Sequence, residues 1–90
     1  MGYDYQKEKA DLLTEDGQEM LMKVYDTAQA LLKKAGAFRA SESWKDVTGS
    51  TWMMLACLDR LVELGRIREV TDPAKVWGQH RVFVAANNDA

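Results

Sequence analysis

Ninety residues, 47% of them apolar and 29% charged, suffice for one folded domain and leave no room for a second. That composition excludes wholesale disorder, and a net charge of −2 excludes a uniformly basic nucleic-acid binder. The longest apolar run falls far short of the roughly 20 residues of a membrane span, and the opening MGYDYQKEKADLL has no basic leader followed by an apolar block, so no secretory signal is expected.

Residues 1–13 are polar, with two tyrosines, and suit an N-terminal arm or an extension of the first helix equally. Asp16 and Glu19 have capping-box form, which predicts a helix start at Asp16. From there Leu21, Val24, Tyr25, Ala28, Leu31, Leu32 and Ala35 recur at three- and four-residue steps, one apolar stripe about five turns long. Lys33 and Lys34 suit the negative end of the helix dipole, and Gly36 is the expected stop. Met20 and Met22 flank the stripe and read as a widening of the buried face, with a dimer contact as the alternative.

Phe38, Arg39 and Ala40 form a short extended link, the place for a minimal first strand. Ser41 and Ser43 are candidate N-caps of a short second helix with Trp44 and Val47 on its inner side. After a Thr48-Gly49-Ser50 turn, Ser50 or Thr51 caps a third helix whose inner face is Met54, Leu58 and Leu61, with Leu55 and Val62 beside it. Gly65 ends it. Two strand-like runs follow, Arg66–Thr71 and His80–Ala86, joined by a loop that Asp72-Pro73 opens and Gly78 makes flexible; in the second run Val82 and Val84 alternate with Arg81, Phe83 and Ala85. Asn87–Ala90 is a polar tail, so the domain proper is expected over 14–86. The fold class is mainly α with a small antiparallel β-hairpin.

The run Leu58-x-x-Leu61-x-x-x-Gly65-x-Ile67 resembles the end of the recognition helix in many bacterial winged helix-turn-helix regulators. There the glycine lets the chain turn left-handed, and the following isoleucine enters the core as the hairpin begins. By element order the resemblance covers about residues 15–86. It implies a winged helix with three helices and a wing, which binds double-stranded DNA as a transcriptional regulator or accessory factor in DNA transactions, as a homodimer or with a partner.

Charge distribution bears on that implication. Residues 66–84 hold Arg66, Arg68, Lys75 and Arg81 against Glu69 and Asp72, the only segment with a basic balance. The DNA reading therefore assigns phosphate or base contacts to Lys45, Ser50, Thr51, Arg60, Arg68, Lys75 and Arg81. Against it, the third helix has no Asn, Gln or Lys, and Asp59 and Glu63 would repel phosphates if they faced them. The competing reading is a protein–protein module that keeps the fold, with Trp52, Met53 and Ala56 forming an apolar contact patch.

Cys57 has no thiol partner, and His80 is the single histidine, so neither a disulfide nor a metal site is expected. A structural role for Cys57 and a reducing, cytoplasmic setting follow. No phosphate loop, nucleophile elbow or metalloprotease signature is present, so no enzyme activity, cofactor or small-molecule ligand is expected.

Overall fold

In the computed structural model, which describes residues 2–45 and 47–86, a helix precedes the one the sequence places first. The polar tail expected over 87–90 lies outside the described residues. This helix, α1, is Tyr5–Leu12, and Asp4 caps it in extended conformation by accepting the Gln6 N–H at 3.0 Å. It buries Leu12 fully. Within the stretch expected to be an arm or an extension of the first helix, Tyr5–Leu12 thus forms a helix of its own.

The second helix, α2, spans Glu15–Ala35. Its cap is Thr14 and not Asp16: the Thr14 hydroxyl accepts the Gly17 N–H at 3.1 Å and donates to the Asp11 carbonyl at 2.6 Å, so one side chain ends α1 and begins α2. Asp16 instead lies in the first turn, where its charge suits the dipole. A side chain at Gly17 would collide with the carbonyl groups of Asp11 and Leu12, so the two helices touch backbone to backbone there. Leu21, Val24 and Ala28 are buried as the stripe predicts, and Gly36 stops the helix at φ +81°. Met20 packs against the core, whereas Met22 is exposed and outside it.

Strand β1 is Ala37–Arg39 and runs directly into a short helix, α3, Ala40–Ser43. Neither Ser41 nor Ser43 caps α3. The Arg39 N–H donates to Glu42 Oε1 at 2.7 Å, and the buried Ser43 hydroxyl donates to the Ala40 carbonyl. Trp44 and Val47 pack inward as expected. The fourth helix, α4, spans Thr51–Glu63, with Ser50 accepting the N–H groups of Trp52 and Met53. Gly65 then turns at φ +74°, and Ile67 enters the core.

Strands β2, Ile67–Glu69, and β3, Val82–Ala85, complete a three-stranded antiparallel sheet of order β1-β3-β2. Phe38 sits opposite Phe83, with ring centroids 5.6 Å apart, and Glu69 sits opposite Phe83 from the other side. The inward set is thus Phe38, Ile67, Arg81 and Phe83, all buried. Val82 and Val84 face outward with Arg39 and Arg68 as cross-strand neighbours. His80 lies in a 3-10 turn, Gly78–His80, ahead of the strand. Among the described residues, no helix is long and apolar enough to cross a membrane.

Candidate interaction cleft

The position of α1 decides what α4 can offer to a partner. Met54, Cys57, Leu58 and Leu61 line one side of α4 and are buried, with Cys57, Leu58 and Leu61 in the core that includes Leu21, Val24 and Ala28 of α2. Ala56, Asp59, Arg60 and Glu63 lie on the opposite side by the 100° step of the helix. That side is occupied in part, with the Arg60 and Glu63 side chains still 25% and 38% exposed. Ala56 has no exposed surface, Tyr3 donates to Asp59 Oδ2 at 2.6 Å, and Tyr5 donates to Glu63 Oε1 at 2.7 Å. Lys9 adds an ion pair to Glu63 at 3.0 Å. Ala56 therefore cannot form part of an exposed patch, and Arg60 is turned to Glu63 at 2.8 Å, beside the same cluster.

These links set the electrostatics of the seam. Burial, reinforced by the bond to Asp59, pushes the Tyr3 hydroxyl well above the ordinary tyrosine value. Burial and the bond to Glu63 push Tyr5 up to about 12. The Tyr5 hydrogen bond, then those of Arg60 and Lys9, hold the Glu63 carboxyl down at about 2. Burial alone pushes the Cys57 thiol up to about 12, so it is an inert core residue.

Arg81 is the largest departure from expectation. Only 5% of its surface is exposed, so it is no phosphate contact on a strand face. Its guanidinium donates to Glu69 at 3.0 and 2.7 Å and to Asp59 at 2.7 Å, and it lies 5.3 Å from the Phe83 ring centroid. Burial by itself would lower its pKa, but the two carboxylates outweigh that and raise it. Glu69 Oε2 also accepts from the Thr71 hydroxyl, which accepts the Val82 N–H. A continuous polar chain thus ties Tyr3, α4 and both strands of the hairpin.

What remains open is a cleft of about 690 Å³ between Tyr3, the N-terminal half of α4 and the β2–β3 loop. Trp52, Leu55 and Asp59 form its α4 side, and Trp77 and Gly78 lie across from them. A side chain at Gly78 would press on Leu55, so the loop sits close against the helix. Trp52 is 42% and Trp77 78% exposed. Thr51 also lines the cleft, while Met53 is half-buried against the core. Lys45, Ser50 and Lys75 are exposed but line none of it, and Arg68 is exposed on the outward face of the sheet. Ser50 uses its hydroxyl as the α4 cap.

Tyr3, Tyr5 and Trp77 are site residues that periodicity does not mark. The available signal is the pair of tyrosines around Asp4, an N-cap residue ahead of a helix-forming run. No three His, Cys, Asp or Glu side chains among the described residues come together as metal ligands. No protein-family model, curated protein or solved structure matches the chain.

Proposed function

We propose that this chain is a winged helix used as a protein-interaction module, with the cleft between Tyr3, α4 and the β2–β3 loop as its partner site. The order helix–strand–helix–helix–hairpin after α1, and the sheet order β1-β3-β2, support the winged-helix reading. In that reading α4 takes the recognition-helix position, and the β2–β3 loop is the wing. The observation that carries the function is the engagement of the outward side of α4 by the N-terminal segment, Tyr3 on Asp59 and Tyr5 and Lys9 of α1 on Glu63. A helix that reads a major groove keeps that side free. The opening presents two exposed tryptophans, Trp52 and Trp77, over the buried Leu55, and these are anchors for apolar side chains of a partner. Asp59 is already matched by Arg81 there, so the floor offers no spare cation to a phosphate.

Double-stranded DNA binding is the second reading, favoured by the exposure of Lys45, Thr51, Arg68 and Lys75. It is opposed by the contacts that hold Tyr3, Tyr5 and Lys9 on the acidic side of α4. Two assays separate the readings. Anisotropy of random duplex DNA at about 50 and 200 mM salt is expected to show no saturable binding at micromolar protein. Steeply salt-sensitive binding that disappears in Lys75→Glu would sink the interaction-module proposal. Selection from a displayed peptide library is expected to enrich apolar sequences on the native chain and not on Trp52→Ala/Trp77→Ala. Sedimentation of the same two proteins tells whether a second copy is the partner.

A further inference from the structure

We infer that the outward face of the sheet is a second docking surface, which takes an acidic amphipathic helix from a partner protein. The face is made of two cross-strand rows, Ala37–Val84–Arg68 and Arg39–Val82–Val70. The central strand supplies valines, and each edge strand supplies an arginine. Arg39 and Arg68 are exposed, and neither is in an ion pair among the described residues. No carboxylate lies in either row: Glu69 faces inward to Arg81, and Glu42, in α3 just past the end of β1, already accepts the Arg39 backbone N–H at 2.7 Å.

The chemistry of this face selects its occupant. Three strands at about 4.8 Å spacing place the two arginine-bearing edges about 10 Å apart, close to the width of one α-helix. The valines half-exposed between them suit an apolar stripe, and the arginines suit carboxylates on both flanks of that stripe. A duplex backbone gains nothing from a valine strip between the cations, and unpaired bases need aromatic rings to stack on, which neither row has. A lipid surface favours protruding aromatic or long apolar side chains over valines set level with a pleated sheet. The face is separate from the cleft, since none of its residues lines that opening.

The test uses a fluorescein-labelled helical peptide of about 18 residues, with leucines on one stripe and glutamates on both flanks. Its anisotropy should report saturable binding that weakens about tenfold or more in Arg39→Glu/Arg68→Glu. The same loss is expected for a peptide with lysines in place of the glutamates. Val82→Ser/Val84→Ser should also weaken binding, whereas Trp52→Ala/Trp77→Ala should leave it unchanged. Circular dichroism confirms that each variant is folded. Equal binding of acidic and basic peptides, or no binding at about 0.5 mM protein, overturns the inference. So does duplex DNA or an anionic phosphatidylglycerol vesicle that uses the same arginines while the acidic peptide does not bind.

Discussion

Arg81→Met removes the guanidinium at the centre of the molecule while keeping a long apolar side chain. The side chains of Arg81, Asp59 and Glu69 are 6%, 20% and 13% exposed, so both carboxylates lose their counter-charge where water reaches them poorly. Removing one partner from a buried pair costs about 3–5 kcal/mol, a large share of the about 5–15 kcal/mol that holds a domain together. At about 4–8 °C per kcal/mol for a domain of this size, the melting temperature should fall by at least about 12 °C at neutral pH. Thermal unfolding followed by circular dichroism, with urea titration as a check, measures the change. Adding Asp59→Asn and Glu69→Gln should recover most of the loss, because the stranded charges are then gone. A fall of less than about 4 °C for Arg81→Met would refute the reasoning, since the group would then behave like an exposed ion pair.

Gly17→Ala places a methyl group against the backbone of Asp11 and Leu12, which cannot yield as a side-chain tip does; a loss of about 1–3 kcal/mol in unfolding free energy is expected, read as a lower urea midpoint. Glu63 has its carboxyl depressed to about 2, so the folded state resists its protonation. The stabilisation is full above about pH 5 and fades as pH falls toward 2. The melting-temperature gap between native protein and Glu63→Gln should therefore be present at about pH 6 and close across that window. Cys57, buried and with its thiol pushed up to about 12, should react with a disulfide reagent at about pH 8 only after denaturant is added.

Signals that act within one or two turns are legible in the sequence. The α2 stripe, its Gly36 stop, the Ser50 cap and the Gly65-x-Ile67 exit all appear where the local pattern places them. The α2 start is displaced because Asp16 and Thr14 are both capping residues. The choice fell to the one that also closes α1 onto Asp11. The inward face of β3 depends on partners remote in sequence. Arg81 meets Asp59 and Glu69, 22 and 12 positions away, and Phe83 meets Phe38 on another strand. Strand alternation alone gives no sign that an arginine belongs inside with a phenylalanine. Helix α1 is illegible for a different reason. It buries only Leu12 and lacks a stripe, and it is held by tyrosines whose acceptors lie 56 and 58 positions on. Ala56 proves to be a core residue and Arg60 is tied to Glu63, which Tyr5 and Lys9 of α1 also hold, and this changes the functional reading.

The seating of α1 on α4 is the claim on which that reading rests, and native-state hydrogen exchange of residues 8–13 tests it most directly. An eight-residue helix is marginal by itself in water, so slow exchange there must come from docking. Amides of this stretch are expected to exchange at least about a hundredfold more slowly than in a free peptide, and to lose that protection together with α4. Exchange at free-peptide rates beside a protected α4 would contradict the account, leave the outer side of α4 open, and return the balance to DNA.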